Sequence, residues 1–498
     1  MNIQIDNKDS KLALWLILAV GAAVRIVTAL ISENINHPDE IFQVLEQAHR
    51  VVFGYGIIPW EYRLAARTWL VPGIMTIFLY PFKILGLDNP HIYIPGIKII
   101  MSLISLSIVV SSYYIGKKLV SHRAGLWAAF FSAVWYEIIY FSIRPMSEVW
   151  AATFFMAAMA LALNGTSRRI LITAGFLAVM SVAVRINYIP AVAVLIFMVG
   201  HKMDSTSKIN LLIGLAAGIV FVGIFETITL GVPFISYIHY YHYNQTFFMT
   251  GPFGSIFSYQ YVMFLGYASL FVYWLIIAAG FLYWKENKLL LFMVMVMLIS
   301  HIILPAHVYQ VHYRHIYVLI PILMIIAGIM TDKLISRLKN FIPLYPLVAI
   351  LFLGLSATGA MAALPRQKEV YNEKILPVYN QNIFQKNGRL LAYLYLYDLD
   401  NVHSVYDNAG EWFYGGGYYY LHKNVPLYLK NTPPPSSKHV SHMLSQNLLV
   451  IASGIRFNKS FGEFHLHIRD DSNYIYPIDS AYNYYIPQPG IDDTLIIK

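Results

Sequence analysis

The 498-residue chain contains no cysteine, and only 12% of its residues are charged. The first absence removes disulfides, thiolate metal sites and a cysteine nucleophile, and it leaves the redox compartment unreadable. The second excludes an ordinary soluble protein, in which about a quarter of residues are charged and roughly 45–50% are apolar. No P-loop or Gly-x-Gly-x-x-Gly phosphate cradle occurs, which argues against an ATP-driven pump. No repeat period or low-complexity tract stands out, and disorder, collagen and coiled coil are excluded by composition. What is present is apolar: 58% hydrophobic, 15% aromatic, with a mean hydropathy of +0.56. The net charge of +9 would point to nucleic acid in a soluble chain. On a membrane chain the placement of Lys and Arg matters more than their sum, because cytoplasmic loops hold them. The sequence is that of a polytopic α-helical membrane protein, with no nucleic-acid partner expected.

The first apolar span, Leu12 to Ile31, is about twenty residues, long enough to cross a bilayer core. With only Lys8 and Lys11 before it and no small-residue cleavage site after it, it reads as an uncleaved signal-anchor. Further spans fall near 95–116, 124–142, 147–164, 170–184, 188–200, 209–230, 261–284, 288–305, 315–331 and 341–363. That makes about 11 transmembrane helices. The pair 170–184 and 188–200 is interrupted by Arg185-Ile186-Asn187 and reads as a hairpin turning within the membrane, which burial against other helices permits. Segment 65–87 is apolar but broken by Pro72, Gly73, Pro81 and Lys83. Treating it as a juxtamembrane or re-entrant helix puts Lys8/Lys11, Lys117/Lys118/Arg123, Arg168/Arg169, Lys202/Lys208, Lys285/Lys288 and Lys333/Arg337/Lys339 on one, cytoplasmic side. Residues 32–94, 232–260, 306–314 and everything after 364 then lie on the opposite side.

After Ala363 the composition changes. Residues 364–498 lack long apolar runs and alternate short strand-like pieces, such as Leu390–Tyr397, Val402–Tyr406 and Asn447–Ala452, with turn signals. The expected organisation is a membrane domain, 1–363, and an external soluble α/β domain, 364–498.

Polar residues crowd at one membrane face. The first external loop opens with Asn36-His37-Pro38-Asp39-Glu40 directly after a span. Pro near a first turn and acids beside the positive end of a helix are ordinary N-terminal signals. Against that plain reading, ionisable groups at membrane depth are costly and commonly functional. Cations accompany the acids: Arg144, Arg185 and the run His307, His312, Arg314, His315. A carboxylate with Arg and His suits transfer from a phosphate ester, which needs a base for the acceptor hydroxyl and cations for the departing phosphate. Arginine binds phosphate through a planar fork that lysine lacks. Plainer roles stay open for each. Arg144 and Glu148 have the spacing of an i,i+4 ion pair; Arg185 could serve a backbone carbonyl or Asp39; the histidine run could form an interfacial belt with Tyr309, Tyr313 and Tyr317. His239-Tyr240-Tyr241-His242 is weak as a metal site, since no His-Glu-x-x-His pattern occurs. No metal site is assigned, and a divalent metal is neither required nor ruled out.

The first loop carries a resemblance. His37-Pro-Asp-Glu-Ile-Phe-Gln-Val-Leu-Glu-Gln-Ala-His-Arg50, then Phe53-Gly-Tyr-Gly56 and Pro59-Trp-Glu-Tyr-Arg63, resemble glycosyltransferase family 22, the Alg9-like mannosyltransferases that use dolichol-phosphate-mannose. Arg67-Thr68 stands where that family usually has Arg-Ser, and a later family loop is represented by His307 and Tyr313-Arg314-His315. The similarity covers roughly residues 12–330. It implies a GT-C architecture and inverting transfer of a sugar, mannose above others, from a polyprenyl-phosphate carrier to a hydroxyl of a glycan or glycolipid. It further implies Asp39 as catalytic base with Glu40 as its neighbour, and Arg144 as a phosphate contact. His37, Glu148, Arg185, His307, Arg314 and His315 complete the expected substrate-binding set. The lipid-phosphate sugar is a substrate, and no cofactor is assigned. The expected location is the bacterial inner membrane or the endoplasmic reticulum membrane, with the active site on the non-cytoplasmic side. The rival reading is a secondary transporter or a lipid-linked sugar flippase, with Arg25, Lys98 and Arg185 lining its path. Against it, transporters usually show paired repeats, and only one broken hairpin is visible.

Overall fold

The structure, a computed structural model, describes residues 7–243, 260–269, 271–303, 313–338, 343–362, 386–409, 415–430, 433–434, 436–448, 454–469 and 483–485. Two compact units are present: residues 1–30 with 99–382, and residues 31–98 with 383–498. The unit that holds the C-terminal residues thus also takes in the first loop.

Among the described residues, six helices are long and apolar enough to cross a membrane: Lys11–Ile31, Pro90–Leu119, Ser147–Asn164, Ser205–Leu230, Trp284–Ile303 and Leu319–Arg337. A bent pair, His122–Val134 with Tyr136–Ser142, makes a seventh if counted as one span, and Leu70–Ile84, Ile186–Gly200, Val272–Leu282 and Leu344–Ala360 are shorter apolar helices. Of the eleven expected spans, six coincide with these long helices and 124–142 with the bent pair, while 170–184, 188–200, 261–284 and 341–363 fall on shorter helices. The expected single span 124–142 is not straight, because it bends by 60° at Trp135.

The bend frees backbone groups that lipid cannot satisfy. Fully buried Arg25 meets them. It donates to the carbonyls of Ala133 (2.7 Å) and Ser132 (3.1 Å), and also to Gly21 O and Ser105 Oγ. Ser356 bridges the same break, accepting from Tyr136 N (2.9 Å) and donating to Val134 O (2.8 Å). Elsewhere in this unit, helices Arg168–Val184 and Ser205–Leu230 cross where both present glycine. A Cβ on Gly175 would lie 2.3 Å from Leu211 O, and one on Gly214 would lie 2.1 Å from Ile172 O. Small residues at a crossing let membrane helices approach at backbone distance.

In the second unit, a π-helical turn, Ile41–Leu45, leads into helix Glu46–Phe53. Strand β1 (Gly56–Ile58) pairs in parallel with β7 (Asn483–Tyr485). Between them in sequence come β2 (Val405–Asp407), β3 (Leu427–Leu429), β4 (His442–Ser445), β5 (Ile455–Phe461) and β6 (Phe464–Arg469). These five form a sheet of order β3-β2-β4-β6-β5, parallel across β3-β2-β4 and antiparallel from β4 through β6 to β5.

Leu390–Tyr397, expected as a strand, lies instead within helix Gly388–Asp398. The Leu/Tyr alternation mimics a period of two, but the buried positions Arg389, Leu390, Tyr393 and Leu396 recur at helical spacing. Asn387 caps the helix by accepting from Arg389 N and Leu390 N. Arg389 Nε (2.9 Å) and Tyr393 Oη (2.6 Å) then anchor it on Asp407 Oδ2 at the end of β2. The strand expected at Val402–Tyr406 is shifted to Val405–Asp407. For the piece expected at 447–452, the strand found is the earlier His442–Ser445, and residues 449–453 are outside the described residues.

Candidate active site

The expected residues divide between the two units. In the second unit, the chain leaves Asn36 and turns at Pro38, whose carbonyl accepts from Ile41 N and Phe42 N. The turn separates the two neighbouring acids. Glu40 is 3% exposed, and its Oε1 accepts the backbone N–H of Asn36, closing the turn on itself. Asp39 keeps 26% of its side chain accessible, and its Oδ1 lies 3.2 Å from His37 Nδ1. His37 Nδ1 also lies 3.2 Å from Asp39 N. Accepting from Asp39 N, the imidazole holds the backbone at the acid, while the same nitrogen lies beside its carboxylate. The following π-helical turn widens the helix by one residue, a distortion that often accompanies functional positions.

That turn is braced by residues that sequence reasoning quoted without assigning a role. Gln43 Nε2 donates to Glu61 Oε1 (2.7 Å), and Tyr62 Oη donates to Gln43 O (2.6 Å). Burial pushes the Glu61 carboxyl up to about 7; the Arg67 charge pulls it down and Asp39 pushes it further up. Glu61 therefore feels the charges of both Arg67 and Asp39. Glu61 sits in Pro59-Trp-Glu-Tyr-Arg63 and Arg67 in Arg67-Thr68. Both stretches carried the family resemblance, which was the available signal.

Fully buried Glu46, also unassigned from sequence, accepts backbone N–H groups from Ile57, Tyr418 and Tyr419. Burial raises its carboxyl to about 7 against those bonds and the nearby Arg50 charge. Beside it, His49 Nε2 and His422 Nδ1 lie 2.9 Å apart. Burial holds His49 well below the ordinary imidazole value and His422 down to about 4.

In the first unit, Glu148 is the centre of a buried cationic cluster. Its Oε1 accepts from Arg185 Nη2 at 2.5 Å and lies 3.3 Å from Arg314 Nε and 3.8 Å from His315 Nε2. Ser147 Oγ reaches Oε2 at 3.1 Å, and Tyr188 Oη donates to the Glu148 carbonyl. His315 Nδ1 shares a 2.9 Å hydrogen bond with Tyr261 Oη. Arg314 Nη1 also rests 3.8 Å from the sulfur of Met146. Two residues before Met146, Arg144 is 1% exposed and stacks over Tyr140, 4.4 Å from the ring centroid. One carboxylate thus gathers two guanidinium groups and an imidazole in a buried setting. His307 and His312 lie outside the described residues. Among the described residues, no group of three or more His, Asp or Glu side chains is arranged to hold a metal ion.

The architecture is of the GT-C type. The fold is similar to that of ArnT from Cupriavidus metallidurans, solved bound to undecaprenyl phosphate, with a TM-score of 0.58 and 10% identity over 93% of this chain and 99% of that one. Its apo structure gives the same TM-score at 12% identity over the same shares of the two chains. The chain matches the Alg9-like mannosyltransferase family over residues 15–386, and it belongs to that family. Among curated relatives, it is 32% identical over 147 residues to GPI mannosyltransferase 3 of Yarrowia lipolytica, covering 30% of this chain and 28% of that protein. It is 30% identical over 117 residues to GPI alpha-1,2-mannosyltransferase 3 of Bos taurus, covering 24% and 21%. The aligned stretch is well under two-thirds of either relative's length.

Proposed function

We propose that this integral membrane protein transfers a mannosyl residue from a polyprenyl-phosphate carrier to a hydroxyl of a glycan or glycolipid, with inversion at C1. Family membership supports the reaction class. The observation that carries the assignment of the base is the unequal setting of the paired acids, Asp39 accessible and oriented by His37, Glu40 buried and committed to Asn36 N.

In the step, the acceptor oxygen attacks C1 from the face opposite the phosphate. The C1–O bond to the carrier phosphate breaks and its electron pair leaves with the phosphate, while the hydroxyl proton passes to an Asp39 carboxylate oxygen. Phosphate is a fair leaving group, so positioning and cationic stabilisation supply most of the acceleration. Arg144, Arg185, Arg314 and His315 are the phosphate-binding residues of this reading, joined by His307. Glu148 holds Arg185 and Arg314 in place. The reaction is assigned to the non-cytoplasmic side of a bacterial inner membrane or endoplasmic reticulum membrane.

The transport reading loses two of its three lining residues, because Arg25 is spent on helix carbonyls and Lys98 Nζ donates to Ser32 O (2.6 Å). The test uses purified protein in liposomes with labelled polyprenyl-phosphate mannose and a glycan or glycolipid acceptor, without ATP or an ion gradient. Label should reach the acceptor. Label crossing the bilayer without transfer would favour the flippase.

A further inference from the structure

We infer that Glu46 is a positioning residue for sugar transfer, holding the Asp39-bearing turn in register against the C-terminal segment Gly417–Leu421; the inference rests on the assignment of Asp39 as base. Glu46 closes the π-helical turn, its own N–H donating to Ile41 O, and opens helix Glu46–Phe53. Any shift of Glu46 is therefore carried along a short stretch of helical backbone toward Asp39.

The two carboxylate oxygens collect three backbone donors. Oε1 accepts from Ile57 N (2.8 Å) and Tyr418 N (3.1 Å), and Oε2 accepts from Tyr419 N (2.9 Å). The approach is as close as glycine alone allows. Gly417 has φ +58, and a Cβ there would lie 2.5 Å from Glu46 Oε2. Further contacts fix the segment: Tyr93 Oη donates to Tyr419 O, Tyr418 Oη donates to Val425 O, and His49 meets His422. The C-terminal residues thereby gain a role in the reaction without touching substrate.

A neutral amide cannot replace the carboxylate fully. In Glu46→Gln, the NH2 group would face the Tyr419 N–H if the carbonyl oxygen kept Ile57 and Tyr418. Burying an acid here is costly, which argues against packing as its sole purpose.

The experiment measures kcat and donor KM for polyprenyl-phosphate mannose with the full-length protein, beside thermal unfolding of each variant. The variants are Glu46→Gln, Glu46→Asp, Gly417→Ala and the control Asp39→Asn. Misplacing a reacting group by about 1 Å can cost about 10²-fold, so kcat should fall roughly 10–100-fold in Glu46→Gln and Gly417→Ala with donor KM unchanged. Glu46→Asp, which keeps the charge and one methylene less, should retain more activity than Glu46→Gln. Gly417→Ala leaves the carboxylate intact, so a parallel loss there supports register rather than a chemical role for Glu46. Wild-type kcat in the folded variants, with only a lower melting temperature, overturns the inference while a dead Asp39→Asn control leaves the base assignment standing. A normal Asp39→Asn control instead sinks the base assignment and this inference with it.

Discussion

The guanidinium of Arg185 lies 2.5 Å from Glu148 Oε1, with both side chains at least nine-tenths buried. The same oxygen lies 3.3 Å from Arg314 Nε, so one carboxylate fixes two cations from distant parts of the sequence. Removing a buried partner leaves uncompensated charge, a loss of about 3–5 kcal/mol in comparable pairs. Glu148→Gln keeps the shape and should lower both the melting temperature and donor affinity, whereas a surface Glu→Gln control should do neither. Unchanged donor affinity in folded Glu148→Gln would show that the cluster is structural alone.

Arg144 is tested separately because it stacks on Tyr140. Arg144→Lys keeps the charge and loses the planar fork, so donor use should weaken with the fold intact. One charge-assisted contact to phosphate is worth roughly 1.5–3 kcal/mol. Identical donor concentration dependence in Arg144→Ala and wild type would remove Arg144 from the phosphate site.

The broken helix at Trp135 gives a stability prediction. Arg25→Met approximates the volume of the side chain and strands the carbonyls of Ser132 and Ala133. Each buried carbonyl left unsatisfied costs about 1–3 kcal/mol, so the melting temperature in detergent should drop by several degrees. An unchanged melting temperature would mean that water or another side chain takes over the cap.

Much of this was legible from the chain, and the failures have physical causes. Apolar run length located the spans, but not the bend at Trp135, because its compensation by Arg25 and Ser356 comes from residues more than a hundred positions away. The Leu/Tyr alternation of residues 390–397 misled, since side chains apolar at nearly every position suit either period. At the site, His37, Asp39 and Glu40 are local and were found as a motif. Arg185, Arg314 and His315 were collected by residue type, and the structure brings them to Glu148. Glu46 escaped assignment because its partners, Tyr418 and Tyr419, are 372 and 373 residues away and contribute only backbone N–H groups, which no side-chain pattern records.

The histidine pair sets a pH dependence. Burial holds His422 down to about 4 from an ordinary 6.5, and His49 is likewise depressed, first by burial and then by His422. Groups depressed in this way resist protonation in the folded state, so their stabilising share is complete above about 6.5 and is lost as pH falls toward 4. Glu46 and Glu61, raised from 4.5 to about 7 by burial, act in the opposite sense, their cost growing as pH rises through that window. Comparing wild type with His422→Gln cancels the carboxyl contribution. The melting-temperature advantage of wild type should be largest near pH 7 and shrink toward pH 4.5; a constant gap would contradict burial holding His422 below the ordinary imidazole value.

The most direct test of the catalytic assignment separates Asp39 from Glu40. Asp39→Asn is nearly isosteric and retains an acceptor oxygen, but it takes no proton at neutral pH. Loss of a general base costs about 10²–10⁴-fold in rate. Glu40→Gln keeps an oxygen for Asn36 N and should be much milder. The measurement is mannose transfer from polyprenyl-phosphate mannose by the two purified proteins at matched thermal stability. The expected result is donor binding with collapsed turnover in Asp39→Asn and substantial turnover in Glu40→Gln. Near-normal turnover in Asp39→Asn would contradict the assignment: collapse of Glu40→Gln beside it would move the base to Glu40, and near-normal rates in both would remove the motif from the chemistry.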